Sequence, residues 1–192
     1  MNYNIILAGV GGQGSLSVSV LIAKAAMKSG FQVKQSEVHG MSQRGGEVLA
    51  NLRISDESIQ SPTVPKGMAD LVLAFEPLEA LRYISWLNVE RGVVVSASEP
   101  IRNIANYPDI DLVRAEIRRL PRYKLIDADG IAKAAGNPRA ANIVLAGAAA
   151  ELLPVPVSAL ESAIDEIFAK KGDAVVRANR KAFDDGRLQS GN

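Results

Sequence analysis

The hydrophobic residues of this chain fall into short continuous runs separated by amphipathic stretches, and this order predicts an α/β fold. The first run, Ile5-Ile6-Leu7-Ala8, is typical of a strand buried on both faces, as in a largely parallel sheet. Further strands are predicted over residues 31–38, 47–55, 70–75, 93–95 and 123–126. Helices are predicted over residues 13–29, from Glu76-Pro77 onward, and over 138–152, 158–170 and 173–185. We expect a single three-layer Rossmann-like domain over residues 1–192, with a mostly parallel sheet.

The second and third predicted strands break the parallel pattern. The segment between them, residues 39–46, is polar and contains glycine, and it is too short for a parallel crossover, which needs a dozen or more residues. We therefore expect these strands to form an antiparallel hairpin with a long tip. If the first and second strands are parallel neighbours, both end at the same edge of the sheet. The turn after the first strand then lies close to the 38–46 loop.

Two later segments are harder to interpret. Prolines interrupt residues 98–121, where Leu112, Ile117 and Leu120 have the spacing of a short amphipathic helix, and we predict no position in the fold for this part. The last strand is followed by Asp127-Ala128-Asp129. Asn137-Pro138 is then predicted to be the cap and first turn of the next helix.

Glycines follow the first strand with the spacing Gly9-x-Gly11-x-x-Gly14 and lead into the first helix. Glycine lets the backbone turn with no Cβ in the way, and a helix N-terminus offers unpaired N–H groups and the positive end of its dipole. The turn therefore predicts an anion-binding site. Its candidate residues are Gly9, Gly11, Gly12, Gln13, Gly14 and Ser15. A purely structural interpretation stays open, because any tight turn from strand to helix favours glycine.

Composition and charge remove several classes of function. The 22 basic and 21 acidic residues give a net charge of +1, so no global field attracts nucleic acid or an anionic membrane. The apolar runs are far shorter than the roughly 20 residues needed to span a bilayer, and we expect a cytoplasmic protein. The absence of cysteine excludes disulfides, thiol catalysis and cysteine-bound zinc or iron–sulfur clusters. With His39 as its one histidine, the chain has no multi-histidine metal site, and we assign neither a metal site nor a catalytic residue.

Four motifs together resemble the gamma-type domain of the 2-oxoacid:ferredoxin oxidoreductases, and the similarity is greatest to members that act on indolepyruvate. The motifs are the glycine turn, residues 37–46, residues 142–147, and Asn179-Arg180-Lys181-Ala182-Phe183 with Gly186. The segment from Ser36 to Gly46 is the most specific, because eleven residues of mixed chemistry match by chance far less often than spaced glycines do. The likeness spans nearly the full length.

The resemblance implies a catalytic partner. In this family a larger subunit carries thiamine diphosphate and iron–sulfur clusters, and the complex oxidatively decarboxylates aryl pyruvates such as indolepyruvate to acyl-CoA while it reduces ferredoxin. This chain contains no thiamine-binding motif, so alone it should be inactive. The resemblance implies that the chain contributes the partner interface and part of the site for coenzyme A as co-substrate. The pyrophosphate of coenzyme A suits the glycine turn, with side-chain hydrogen bonds from Gln13 and Ser15.

The loop after the second strand is the candidate partner or active-site loop. Its candidate residues are Glu37, His39, Met41, Ser42, Gln43, Arg44, Gly45 and Gly46. Arg44 suits a phosphate of coenzyme A and a carboxylate of the partner equally well. His39 either hydrogen-bonds within its own loop or acts near the substrate or the subunit interface. Met41 is expected at the interface, because methionine adapts to irregular surfaces.

Two other functions use the same residues. One is a stand-alone NAD(P)-dependent dehydrogenase, because the glycine spacing fits the dinucleotide pattern and Glu37 lies where an acidic ribose ligand would be sought. The hairpin in place of a second crossover helix and the absence of a separate substrate domain argue against it. The other is a regulator that binds coenzyme A or another nucleotide. The turn lacks the Gly-Lys-Ser/Thr ending that a nucleoside triphosphate site of the P-loop type requires.

Overall fold

A computed structural model of the chain describes residues 1–40 and 45–189, and its strands form one six-stranded sheet. The strands are β1 (Asn2–Val10), β2 (Gln32–His39), β3 (Glu47–Ser55), β4 (Leu71–Ala74), β5 (Val93–Ala97) and β6 (Tyr123–Ile126). Their order across the sheet is β2-β3-β1-β4-β5-β6. β1, β4, β5 and β6 pair in parallel, whereas β3 runs antiparallel to both of its neighbours. The mostly parallel sheet and the antiparallel β2–β3 hairpin are confirmed.

Helices cover both faces of this sheet. They are α1 (Ser15–Lys28), α2 (Pro77–Arg82), α3 (Ile110–Arg118), α4 (Ala128–Ala134), α5 (Ala141–Ala149), α6 (Val157–Phe168) and α7 (Asp173–Arg187). Short 3₁₀ segments occupy Ile84–Trp86, Ala150–Leu152 and Ala169–Lys171. One apolar core lies between the sheet and α1 with α4 to α7, and a second lies between the sheet and α2 with α3. This is the expected three-layer α/β arrangement.

The expectation that β1 and β2 are neighbours is wrong, because β3 lies between them. The burial of the two hairpin strands explains the order. β3 is buried along most of its length and gains from pairing on both edges, whereas most β2 residues are exposed, as is usual for an edge strand. β1 and β2 still point in the same direction. Both therefore end at the same edge of the sheet, as predicted.

The sheet changes its direction of growth beside β1. From β1 the chain passes through α1 to β2 on one side, and after β3 it continues to β4 on the other side of β1. In open α/β sheets such a switch point leaves a crevice at the carboxyl ends of the strands, where ligands bind. Here the crevice lies between the end of β1 and the end of β4.

Several helix boundaries differ from the predicted ones. Asn137 does not cap α5: its backbone carbonyl accepts from the N–H of Ala140 at 2.9 Å and its side chain from the N–H of Arg139 at 3.3 Å, so a turn precedes the helix. α4 was not predicted, although Asp127 caps it by accepting from the N–H of Gly130 at 2.9 Å. α3 lies within residues 98–121 and buries Val113 and Ile117.

α5 and α7 pack with their backbones unusually close together. A Cβ on Gly147 would lie 2.0 Å from the carbonyl oxygen of Phe183, and one on Gly186 would lie 2.1 Å from that of Val144. Glycine at both positions therefore permits the contact. Two motifs that carried the family resemblance, residues 142–147 and 179–186, thus meet in the core of the fold.

Candidate functional site

The glycine turn connects β1 to α1 at the switch point. Gly12 and Gly14 have φ angles of 101° and 79°, a region that side chains other than glycine rarely adopt. A Cβ on Gly14 would in addition lie 2.6 Å from Nδ2 of Asn142, which donates to the Gly14 carbonyl at 3.3 Å. The sequence needs glycine at both positions for backbone conformation, and at Gly14 also for the close approach of α5.

Gln13 fastens the turn to the neighbouring strand. Its Oε1 accepts from the N–H of Val10 at 2.7 Å, and its Nε2 donates to the carbonyl of Phe75 at 2.5 Å. A Cβ on Gly9 would meet Gln13 Oε1 at 3.0 Å and Phe75 Cβ at 3.1 Å, so glycine leaves room for this bridge. The geometry gives Gly9 and Gln13 structural roles across the crevice. Contact of Gln13 with a ligand stays a prediction.

The N-terminus of α1 is open to an anion. Gly14 is the N-cap residue and supplies no side-chain cap, and the first turn of the helix carries no acidic residue. The first N–H groups of a helix have no partner inside it, and they lie at the positive end of the dipole. Ser15 is buried at this end and lines a cleft beside it. The start of α1 therefore has the positive dipole end and the unpaired N–H donors that the sequence predicts.

Within the part of the chain that the structure describes, three cavities adjoin this helix end. The crevice cavity, of about 510 Å³, is lined by ends of β4 and β5 together with Gly12, Gln13, Glu99, Ile101, Asp129, Arg139 and Asn142. The loop cavity, of about 380 Å³, is lined by Gly11, Gly12, Gly14, Ser15, Leu16, Ser17, Glu37, His39 and Val48. The α7 cavity, of about 520 Å³, lies between the start of α7 and the turn before α5. It shares Ser17 with the loop cavity, and it shares Arg139 and Asn142 with the crevice cavity.

The glycine turn and the hairpin tip are in direct contact, as expected. The N–H of Gly11 donates to the carbonyl of Gly46 at 2.8 Å, and the N–H of Gly45 donates to the carbonyl of Gly11 at 3.4 Å. Glu37 and His39 line the loop cavity together with the turn. His39 Nδ1 lies 3.3 Å from the carbonyl oxygen of Gly40, which fits the local hydrogen bond that was one of its two interpretations.

Met41, Ser42, Gln43 and Arg44 lie outside the described residues. The two interpretations of Arg44, and the interface role of Met41, stay predictions.

The segment 98–107 is a part of the site that the sequence did not reveal. Tyr107 donates a hydrogen bond from its hydroxyl to Oε1 of Glu76, while Oε2 of Glu76 accepts from the N–H of Glu79 at 3.0 Å and caps α2. Burial and the bond to Glu76 raise the pKa of Tyr107 above its ordinary value of 10.0. Farther along, Asn103 Nδ2 donates to the carbonyl of Gly45 at 2.8 Å. These contacts hold the segment against the crevice and the hairpin tip.

Asn142 and Arg139 were also missed as site residues. Both line the crevice cavity and the α7 cavity. For Arg139, the sequence signal is the dipeptide Asn137-Pro138 directly before it, which can form a turn. In the sequence analysis this dipeptide is instead interpreted as the start of a helix. In the structure the dipeptide forms a turn before α5, and Arg139 lines the crevice cavity together with Gly12 and Gln13.

Within residues 1–40 and 45–189, no three histidine, aspartate or glutamate side chains are grouped so that they would hold a metal ion. Nor does any helix in this part of the chain have both the length and the apolar character required to cross a bilayer.

A mostly parallel sheet with a glycine turn at its switch point defines a Rossmann-like class of protein. Within that class, the model of the pyruvate ferredoxin/flavodoxin oxidoreductase family matches residues 4–189. The chain therefore belongs to the pyruvate ferredoxin/flavodoxin oxidoreductase family.

Two archaeal relatives specify which kind of subunit in this family the chain is similar to. The chain is 38% identical to the indolepyruvate oxidoreductase subunit IorB of Archaeoglobus fulgidus, over 99% of this chain and 96% of the relative. It is 40% identical to the subunit of the same name from Pyrococcus horikoshii, over 96% of this chain and 94% of the relative. The resemblance stated from the sequence motifs is confirmed, and the chain is homologous to subunits of oxidoreductases.

Solved structures show the same fold. The gamma subunit of a keto/oxoacid ferredoxin oxidoreductase from Geobacter sulfurreducens is 30% identical, with a TM-score of 0.69 over 96% of this chain and 95% of that one. A 2-oxoglutarate:ferredoxin oxidoreductase from Magnetococcus marinus, with 2-oxoglutarate, coenzyme A and succinyl-CoA bound, is 25% identical with a TM-score of 0.74. This chain covers 30% of that longer chain, so the similarity concerns one part of it.

Proposed function

We propose that the chain is the small subunit of a thiamine diphosphate-dependent 2-oxoacid:ferredoxin oxidoreductase that converts indolepyruvate and other aryl pyruvates to acyl-CoA. In this proposal a larger partner carries thiamine diphosphate and the iron–sulfur clusters, and ferredoxin accepts the electrons through the complex. The isolated chain is inactive, in keeping with its lack of cysteine. The names of the archaeal relatives support the choice of substrate.

The chain's own contribution is to form the partner interface and to bind part of coenzyme A. The observation that carries this proposal is the open N-terminus of α1, which has no side-chain cap, no acidic residue in its first turn, and cavities on its sides. Backbone N–H groups in this position suit a pyrophosphate. In our proposal Gly11, Gly12, Gly14 and Ser15 surround the pyrophosphate, and Arg44 adds a charge. The coenzyme A bound in the Magnetococcus marinus relative agrees with this ligand.

Binding and orientation are therefore the tasks of this chain. In the partner, thiamine diphosphate would supply the decarboxylation chemistry and the clusters would supply the path for electrons. The hydrogen bonds of Gly11 with Gly45 and Gly46 hold the turn against the hairpin tip before any ligand arrives. Such preorganisation lowers the entropic cost of placing coenzyme A at the active site.

The test uses Gly12→Ala in the complex of both subunits, with Gly30→Ala as the matched control. The two glycines have φ angles of 101° and 87°, and a Cβ on either would meet nothing within 4 Å, so the backbone strain is similar. Gly12 lines the crevice and loop cavities, whereas Gly30 follows the far end of α1. Alanine at position 12 should raise the KM for coenzyme A by roughly tenfold with kcat within about twofold, because a methyl group enters the space of the ligand.

The assay is coenzyme A-dependent reduction of a viologen dye by indolepyruvate under anaerobic conditions. Gly30→Ala should leave the KM for coenzyme A unchanged. Equal KM values for Gly12→Ala and the unsubstituted complex would refute contact of coenzyme A with the turn. An inactive complex in which both subunits are folded and the partner is loaded with thiamine diphosphate and its clusters would refute the choice of substrate.

The dehydrogenase alternative loses support from the sheet order. In the dinucleotide-binding fold, the acidic ribose ligand follows the strand adjacent to β1. Here β3 separates β1 from β2, which carries Glu37, so Glu37 lies one strand spacing farther from the turn than that pattern requires. Titration calorimetry of the isolated chain with NADH and NADPH tests the alternative. Tight binding that Glu37→Ala abolishes would favour it over our proposal.

A further inference from the structure

The hairpin tip ends in residues 45–47, which we call the tip base. Its backbone is hydrogen-bonded to Gly11 of the glycine turn. Asn103 donates to one of its carbonyl groups at 2.8 Å. Glu47, its last residue, accepts a hydrogen bond from the hydroxyl of Tyr83, which directly follows α2. The glycine turn, Asn103 and the end of α2 therefore hold the tip base together.

A cluster of side chains forms the contact with α2. Tyr83 is only 4% exposed, and burial together with its bond to Glu47 raises its pKa above the ordinary value of 10.0, so the hydroxyl stays a donor. Arg82 Nε lies 3.9 Å from the same Glu47 carboxylate. The guanidinium of Arg82 is itself fixed, because it donates to both carboxylate oxygens of Glu79 at 3.0 and 3.3 Å. Glu47 thus meets two side chains whose positions α2 determines.

Two buried carboxylates belong to this short helix. Glu79 and the capping residue Glu76 are 4% and 1% exposed, and burial raises the pKa of Glu79 above its ordinary value of 4.5. A buried carboxylate adds little net stability, because its lost hydration offsets the attraction to its partner. Both nevertheless bind groups that lead to the tip base. Glu79 holds Arg82, and Glu76 holds Tyr107, which lies in the same segment as Asn103.

The tip base is the described end of the candidate partner loop. Gly45 and Glu47 are exposed, so a second chain can reach them. A surface that is fixed before association loses less conformational entropy when it binds. Tyr83, in contrast, is buried and cannot touch another chain. Any effect of its hydroxyl on association must therefore pass through Glu47.

We propose that Tyr83 is a positioning residue for assembly of the enzyme: through Glu47 it holds the tip base in the place where the larger subunit binds. This inference rests on the proposed function, in which the candidate loop forms the partner interface. It extends that function to a buried residue 36 positions away from its partner in sequence. Arg82 faces the same carboxylate and limits its movement from the second side.

The test follows dissociation of the complete complex on dilution, by mass photometry under anaerobic conditions. Tyr83→Phe should raise the Kd between the subunits by roughly fivefold, because Glu47 loses a donor to its charged carboxylate. At concentrations where the complex is intact, kcat should stay within about twofold, since Tyr83 lines none of the three cavities. Tyr123→Phe is the matched control: it packs against the same core, and no hydrogen bond of its hydroxyl is found among the described residues.

Two substitutions of Glu47 separate positioning from a general loss of stability. Glu47→Ala should raise the Kd at least as much as Tyr83→Phe does. The double variant should bind no more weakly than Glu47→Ala, because both substitutions remove the same bond. Glu47→Gln keeps an oxygen that accepts from Tyr83, and its Kd should stay within about twofold of the unsubstituted value. Because Glu47 is exposed, these variants test the bond independently of Tyr83→Phe.

Three results would overturn the inference. They are an unchanged Kd for Tyr83→Phe, losses that add in the double variant, and a loss for Glu47→Gln as large as that for Glu47→Ala, which would indicate direct contact of the charge with the partner. Thermal unfolding of each variant verifies that it is folded. The proposed function fails by a different result, namely an unsubstituted chain that forms no complex with a larger thiamine-containing subunit.

Discussion

Alanine at position 147 tests how the backbone contact between α5 and α7 contributes to stability. The new Cβ would lie 2.0 Å from the carbonyl oxygen of Phe183, whereas ordinary van der Waals contact begins near 3.4 Å. The obstacle is backbone, so a change of side-chain rotamer cannot relieve it. α7 would have to move away from α5 by about 1.4 Å, which is the difference between these two distances.

Two opposing effects decide whether Gly147→Ala raises or lowers the free energy of unfolding. Alanine in a helix interior is favoured over glycine by about 1 kcal/mol. Overpacking of a well-packed core costs roughly 1–3 kcal/mol, and a separation near 1 Å removes a quarter to a half of each dispersion contact across the interface. Because the clash involves a main-chain atom, we take the upper end of that range. The free energy of unfolding should therefore fall by about 2 kcal/mol.

Thermal unfolding followed by circular dichroism measures this effect. For a chain of this length, 1 kcal/mol corresponds to about 2–4 °C, so the Tm should fall by roughly 4–8 °C. Gly186→Ala should behave similarly, and the double variant should lose less than the two single losses together, because the first substitution already separates the helices. A Tm that is unchanged or raised, or fully additive losses, would refute the reasoning.

Two further substitutions test other contacts. Tyr107→Phe removes the hydroxyl that donates to buried Glu76, and it should lower the free energy of unfolding by about 1–2 kcal/mol in a urea titration; no loss would show that water replaces this bond. Asp165→Asn breaks the bridge in which Arg180 holds the pKa of Asp165 below its ordinary value of 3.8. A carboxyl group whose pKa is lower in the folded than in the unfolded state stabilises the fold at every pH above its unfolded-state pKa. Asp165→Asn should therefore lower the free energy of unfolding at pH 7, by about 0.5–1 kcal/mol for a half-exposed pair. The loss should fade as the pH falls below 3.8, and a loss that grows in acid would contradict this.

Local sequence patterns predicted the elements of the fold better than they predicted its long-range pairing. The apolar run at residues 5–8, the hairpin and the contact of its tip with the glycine turn all followed from patterns within short segments. The strand that pairs with β1 did not follow from such patterns. β3 rather than β2 lies at that edge of β1, because β3 is the more buried of the two, and burial depends on the whole sheet. α4 was missed because its seven residues are too few to show helical periodicity.

The same distinction applies to the candidate site. The glycines were recognised because each reports a local backbone requirement. The roles of Gln13 and Tyr107 depend on partners 62 and 31 residues away, so their own segments carried no signal for them. Arg139 was within reach of sequence reasoning, but only if the preceding Asn-Pro was interpreted as a turn rather than as a helix start.

The central position of β1 has a consequence for synthesis of the protein. Ile6 pairs with Asn51 on one side and Val72 on the other, so β1 completes its pairing only after β4 has been made. At the usual 5–20 residues per second, roughly 3–13 s pass between translation of Ile6 and translation of Val72. During that interval β1, which is buried from Asn4 to Val10 in the folded protein, lacks at least one of the strands that it pairs with. The exposed apolar side chains and unpaired edges of β1 therefore favour aggregation of the nascent chain until β3 and β4 have been made.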